Sequence, residues 1–273
     1  MISRRSLLLA AAGALVASGD PLQAQPADPA TQRSSKKGLA GAAPTSTGLR
    51  SSWYYDWSTK PASKGLPHDD PSIRFVPMVW GLKHDVAAAL RGLDGKRPEV
   101  LLGFNEPDHR DQSNLTVEQA LAVWPQLAGV AKDLVAPSCA QPDGKWMQSF
   151  VKGAEAQKLH FDSVGFHHYG SPNADAFVHR LERVHKMYGR PIWVTEFGVT
   201  DWKARHGTLN RFKERDAIRF IEAVCPFMER TPWVRGYAWF PWGKPGAGGP
   251  MSVSAFFLPD GRLSAVGQAY ASV

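Results

Sequence analysis

A chain of 273 residues with 43% hydrophobic and 21% charged side chains has the composition of a folded globular protein, which excludes a disordered polymer and a multispan membrane protein. The formal charge of +7 does not point to nucleic acid, because Lys and Arg are scattered and form no block that would follow a phosphate backbone. Ten tryptophans exceed what one core needs and point to exposed flat rings, on which sugars stack.

Residues 1–24 read as an export signal. Arg4 and Arg5 precede an apolar run from Leu7 to Ala17, too short to span a bilayer stably, and Ser3-Arg4-Arg5 before Leu7 fits a twin-arginine signal. Ala24 closes an imperfect cleavage site, with Leu22 where a smaller residue is usual. The expected destination is therefore secreted or periplasmic, with no membrane span after processing. Residues 25–48 turn to Ala, Pro, Ser, Thr, Gln and Lys without apolar periodicity and read as a disordered tether. The folded domain is expected over 49–273.

Within it, apolar strand-like runs cover Ser52 to Trp57, Ile73 to Trp80, Val100 to Phe104, Leu134 to Pro137, Ser163 to His168, Ile192 to Phe197 and Val234 to Phe240. Helical periodicity lies between them, as in Val86 to Leu93, Val117 to Lys132, Ala174 to Tyr188 and Glu214 to Arg230. Strand and helix in alternation predict an α/β chain with a parallel sheet. A dinucleotide fold would carry a Gly-rich turn after the first strand, where Trp53-Tyr54-Tyr55-Asp56-Trp57 stands instead. The expectation is a small (β/α)8 TIM-type barrel with some crossover helices reduced or missing, its eighth strand brief or badly marked. Phe256 to Leu263 reads as a hairpin turn before a closing helix, and Gly243 to Pro250 as a substrate-side loop.

Two glutamates follow strand-like runs directly: Glu106 in Phe104-Asn105-Glu106-Pro107-Asp108 and Glu196 in Trp193-Val194-Thr195-Glu196-Phe197-Gly198. In a barrel the C-terminal strand ends share one mouth, so the two carboxyl groups would converge there. Glycosidic cleavage needs such a pair, one to protonate the leaving oxygen and one to attack the anomeric carbon or activate water. A helix cap or a surface acid is the alternative for either glutamate alone.

Asn105 is placed to bind a sugar hydroxyl. His167 and Tyr169 share one face of their strand, and Tyr169 is placed to bond Glu196, with core packing as its alternative. His167 and His168 point to opposite faces and, with no further ligand spacing, do not read as a metal site. Trp57, Trp80, Tyr237 and Trp239, with Trp242 beyond them, are candidate sugar contacts near the mouth. Cys139 and Cys225 are expected as two buried free thiols, too far apart to bridge.

Jointly these motifs resemble glycoside hydrolase family 128, the β-1,3-glucanases with an Asl-like catalytic domain in the retaining clan A. The resemblance runs from Trp53-Tyr54-Tyr55-Asp56-Trp57 through Phe75-Val76-Pro77-Met78-Val79-Trp80, Asn105-Glu106-Pro107-Asp108, His167-His168-Tyr169-Gly170 and Trp193-Val194-Thr195-Glu196-Phe197-Gly198 to Tyr237-Ala238-Trp239-Phe240. It implies Glu106 as acid/base after the fourth strand, Glu196 as nucleophile after the seventh, and retention of anomeric configuration. The family often carries Trp where His168 stands. A protonated Glu106 and an ionised nucleophile require environments that push the two pKa values apart. The expected partner is β-glucan, the expected form a monomer without cofactor. The competing expectations are a hydrolase or transglycosylase on another β-linked polysaccharide and a non-catalytic carbohydrate-binding barrel.

Overall fold

The computed structural model describes residues 33–41, 47–61, 72–83, 85–93, 95–204 and 208–273; the export-signal reading lies outside them. Eight parallel strands form one sheet in the order β3-β2-β1-β8-β7-β6-β5-β4. They are β1 Lys37–Ala40, β2 Trp53–Tyr55, β3 Arg74–Phe75, β4 Val100–Leu102, β5 Asp133–Ala136, β6 Ser163–Gly170, β7 Ile192–Val199 and β8 Val234–Trp239. The sheet meets itself just beyond β3, where Met78 bridges Leu102 of β4 and the Val79 N–H donates to the Leu102 carbonyl at 3.0 Å.

The helices are α1 Val86–Arg91, α2 Val117–Val123, α3 Lys145–Ala156, α4 Ala174–Tyr188, α5 Glu214–Arg230 and α6 Ala265–Ser272. Local chemistry sets their ends. The Asn173 side chain accepts from the Ala176 N–H to start α4, and Gly189 ends it with φ of 60° in the left-handed region. Thr116 and Gln119 form a reciprocal capping box on α2. By contrast α3 starts behind Gly144 without a side-chain cap and carries Gly153 inside, so its sequence signal is faint. Between β1 and β2 the described residues hold only a short 3₁₀ turn, Thr47–Leu49, in keeping with reduced crossovers.

The expected tether boundary needs correcting. Lys37–Ala40 lies inside the span read as tether, yet all of it is buried as the strand joining β2 to β8. Only Leu39 and Ala40 are apolar there, so composition conceals the strand. Lys36 and Lys37 are tolerated because their ammonium groups meet carbonyls at helix ends. Lys36 donates to the carbonyls of Met228, Glu229 and Thr231 at 3.1, 2.9 and 2.8 Å, and Lys37 to those of Tyr270 and Val273.

Side-chain parity divides the core in two. Trp53, Tyr55, Val76, Met78, Val100, Leu102, Val135, Trp193 and Ala238 fill the barrel interior. The opposite parity packs against the helices. Trp53 and Trp193 meet edge to face at 5.1 Å, and small residues beside them make this possible. A Cβ on Gly38 would come 2.2 Å from the Trp53 ring, and one on Gly236 2.3 Å from Trp193.

Candidate active site

Parity alone would not bring Glu196 into the barrel. Trp193 belongs to the interior and Val194 to the helix-facing layer, and strict alternation would send Glu196 outward with Val194. The register slips instead. Phe166 pairs Val194, but His167 pairs Glu196, so Thr195 is an extra residue on β7. Such a bulge re-aims the following side chain. Thr195 bonds Ser138 inside the barrel at 2.9 Å, Glu196 turns to the mouth, and Phe197 resumes the helix-facing layer.

Glu196 is 5% exposed and accepts three side-chain hydrogen bonds. Tyr55 donates to Oε1 at 2.7 Å, the Trp57 indole N–H to the same oxygen at 2.9 Å, and Tyr169 to Oε2. Burial, followed by the charge of Glu196, holds both phenols well above their usual pKa, so both stay protonated donors. Trp57 reaches its place with φ of 60°, a conformation a bulky residue adopts only under constraint.

Glu106 follows β4 and has φ of 39°, another backbone outlier at the same mouth. Its N–H donates to the Ser138 carbonyl at 2.8 Å, fixing the loop against the end of β5. Asp108 ties the same two loops, accepting from the Ala140 and Gln141 N–H groups at 2.8 and 2.9 Å. From β6, the fully buried His167 places Nδ1 2.9 Å from Glu106 Oε1 and 3.5 Å from Glu196 Oε2. Among the described residues, Glu106, His167 and Glu196 offer ligand atoms within 4.8 Å of one another, a spacing that can hold a divalent cation. Glu106 Oε1, His167 Nδ1 and Glu196 Oε2 are the atoms engaged in the contacts just given.

Burial pushes Glu106 upward, but the hydrogen bond and charge of His167, with His109 behind it, outweigh this and hold its carboxyl below its usual value. Burial opposes protonation of His167, yet Glu196 and Glu106 outweigh it and draw its pKa up. The structure thus pairs the two glutamates through one imidazole, and does not raise Glu106 as sequence reasoning expected.

A cavity of about 570 Å³ lies over this group, lined by Trp57, Asn105, Glu106, Tyr169 and Glu196 among those expected. His167 sits beneath it. Trp80 stands instead in an adjoining cavity of about 670 Å³, where the Lys83 ammonium lies 4.5 Å over its ring. Trp57 lines both cavities. A third, of about 230 Å³, is lined by Trp202 and Trp242, and Trp202 also lines the first.

Two expectations fail. Tyr237 and Trp239 share the β8 parity that faces the helices; both are fully buried, with Tyr237 bonded to Glu229 at 2.6 Å and Trp239 to the Ser254 carbonyl at 2.8 Å. Ala238 takes the interior position on that strand, and Phe240, just past it, lines the cavity. Residues that sequence reasoning missed include Tyr55, Gln112, Arg180 and the exposed Trp202. Only Tyr55 had a signal, since it alternates in phase with Trp53 and Trp57. His168 points away, stacked on Phe166 at the helix-facing layer; burial, then Arg180, lowers its pKa to about 4, so it is neutral. Cys139 and Cys225 are free and buried, as expected.

The sequence model of the family described as glycosyl hydrolase catalytic core matches residues 34–270. Alkali-sensitive linkage protein 1 of Schizosaccharomyces pombe is 26% identical over 259 residues, covering 88% of this chain but 45% of its own length; the chain spans about half of that relative. A GH128 subgroup I endo-β-1,3-glucanase from Amycolatopsis mediterranei, solved with laminaritriose and laminaribiose, matches at a TM-score of 0.74 and 29% identity, over 87% of this chain and 99% of its own. A subgroup II endo-β-1,3-glucanase from Sorangium cellulosum matches at 0.71 and 26%, over 87% and 98%. A subgroup VII oligosaccharide-binding protein from Trichoderma gamsii matches at 0.68 and 25%, over 89% and 95%. The chain belongs to the glycosyl hydrolase catalytic core family, and within it to glycoside hydrolase family 128.

Proposed function

We propose that this protein is a retaining glycoside hydrolase that cleaves β-1,3-glucan by double displacement, with Glu196 as nucleophile and Glu106 as acid/base. The observation that carries this reading is the approach of one oxygen from each carboxyl group to within 4.8 Å of the other. So near an approach suits the carboxyl separation of about 5–5.5 Å used for retention better than the roughly 6.5–9.5 Å that leaves room for an inverting water. Glu196, aligned by Tyr55, Trp57 and Tyr169, attacks the anomeric carbon as Glu106 protonates the departing oxygen. Glu106, now a base, takes a proton from the water that releases the glycosyl ester. A sugar hydroxyl in place of that water gives transglycosylation.

The glucan assignment rests on the relatives solved with laminari-oligosaccharides and on the aromatic walls of the cleft. Trp57 and Trp202 each separate two cavities, so a polymer threading the main one has indole surface on both sides. Asn105 and Gln112, which pair at 3.2 Å on the cavity wall, supply polar contacts to sugar hydroxyls. The protein acts outside the cytoplasm, a reading that rests on the Arg4-Arg5 leader and the polymeric substrate. No helix among the described residues is long and apolar enough to cross a membrane.

The binding-protein reading draws on the Trichoderma gamsii relative. Incubation with laminarin, curdlan, cellulose and chitosan, followed by product chromatography and proton NMR of the first-formed anomer, separates the readings. Release of β-anomeric laminari-oligosaccharides is the expected result. Tight laminarin binding without any product would leave a binding protein, and α-anomeric product would remove the double displacement.

A further inference from the structure

His167 holds the middle of the site, yet the reaction as written gives it no part. Its ring is fully buried, Nδ1 faces both carboxyl groups, and Nε2 is buried with no hydrogen-bond partner among the described residues. Buried N–H groups left without an acceptor are rarer in folded proteins than buried acceptors left without a donor. The orphaned edge therefore belongs on an unprotonated nitrogen, and the proton on Nδ1.

From this geometry we infer that His167, as the neutral Nδ1–H tautomer, is the positioning residue of the acid/base: it donates to Glu106 Oε1 and thereby assigns the transferable proton to Oε2. The inference rests on the proposed retaining mechanism and adds to it the identity of the oxygen that carries the proton. When Oε2 gives its proton to the departing oxygen, the C–O bond breaks, Glu196 closes the new ester bond and Glu106 becomes an anion. The Nδ1–H bond strengthens as that charge forms, since hydrogen bonds to a carboxylate are stronger than those to a neutral acid. In the second half Oε2 takes the proton from water and the bond relaxes. His167 transfers no proton, so the proton count closes on Glu106 alone.

The charged groups facing His167 are Glu106 and Asp108 from the loop after β4 and Glu196 from β7, with the Tyr169 phenol beside it on β6. They draw its pKa upward while both glutamates are ionised, although burial resists. Once Glu106 holds its proton, one of these charges is gone and burial favours the neutral ring.

The test uses the full chain with His167→Phe, which lacks the donor, and His167→Asn, whose amide nitrogen stands the same number of bonds from Cα as Nδ1. Two substrates are compared: laminarin, whose leaving alcohol needs a proton, and 2,4-dinitrophenyl β-laminaribioside, whose phenolate leaves without one. His167→Phe is expected to lower kcat on laminarin by about 10- to 100-fold and to leave formation of the glycosyl-enzyme from the dinitrophenyl substrate nearly unchanged. Its kcat/KM profile should also lose activity at higher pH than wild type, because a bond that lowered the Glu106 pKa is gone. His167→Asn should recover most of both.

Equal losses on the two substrates, with an unmoved alkaline limb, would overturn the inference by placing the role of His167 on Glu196 or on the fold. Nitrogen-15 NMR of the imidazole in Glu106→Gln, whose neutral amide stands in for the protonated acid, tests it without turnover. Protonated Nδ1 with bare Nε2 is expected near neutral pH, and an imidazolium or an Nε2–H tautomer overturns it. A wild type that hydrolyses neither substrate, with the expected tautomer in Glu106→Gln, would remove the hydrolase reading and the catalytic part of the inference together.

Discussion

Tyr55 on β2 donates its phenol to Glu196 on β7 at 2.7 Å, across the interior of the barrel. With the Trp57 indole 2.9 Å from the same oxygen, the first recognisable strand of the sequence aligns the carboxylate of a strand far along the chain. Loss of one donor to a charged group costs about 1.5–3 kcal/mol. Tyr55→Phe should therefore lower kcat on laminarin by about 10- to 100-fold with an unchanged circular dichroism spectrum. A variant at wild-type rate would show that Tyr169 and Trp57 suffice.

Glu106→Ala removes the general acid and the later base, steps that contribute about 10²- to 10⁴-fold. Turnover of an activated aryl laminaribioside should slow by that order through accumulation of the glycosyl-enzyme, and sodium azide should restore it with β-glycosyl azide as product. Absence of rescue, or an α-azide, would remove Glu106 from the acid/base role. Glu196→Ala should abolish hydrolysis and keep glucan binding, as followed by calorimetry.

Two tryptophans should separate packing from binding. Trp239 is fully buried against Phe197 and Phe256, at ring distances of 5.0 and 5.8 Å, so Trp239→Ala should cost about 3–5 kcal/mol in urea unfolding. Trp202 is 67% exposed, and Trp202→Ala should change stability by no more than about 0.5 kcal/mol while raising KM for laminarin about 2- to 10-fold.

Asp143 accepts from Arg180 at 2.7 Å and from Arg183. Burial pushes its carboxyl up, but these guanidinium bonds outweigh burial and bring its pKa from 3.8 to about 2. A folded pKa below the unfolded one stabilises the protein above pH about 4, and this contribution fades as pH falls toward 2. Asp143→Asn should therefore cost no more than about 2 kcal/mol at neutral pH, less because Arg183 is 57% exposed, and the difference from wild type should shrink between pH 4 and 2 in urea titrations. A gap independent of pH would assign the loss to packing.

The boundary of the folded unit can be read by truncation. Removal of residues 1–32 should leave the cooperative unfolding transition and activity in place. Removal of residues 1–48 takes away β1 and should abolish both, because β2 and β8 would face an unpaired edge and Trp53 would lose its packing against Gly38. A folded, active product of the longer truncation would return those residues to a tether.

By itself the sequence determined the alternation of strand and helix, the two glutamates at strand ends, and the common face of His167 and Tyr169, because period and position within one element are local properties. Tertiary structure decided the rest. Lys37–Ala40 became a strand since neighbours on both sides pair with it and helix-end carbonyls receive its lysine. Tyr237 and Trp239 went to the core because parity states that alternate residues share a face, but only the closed barrel decides which face is the interior. Glu196 entered the mouth through one extra residue on β7, a slip visible only against the paired strands. No single segment records such pairing, so the meeting of Glu106, His167 and Glu196 belongs to the fold.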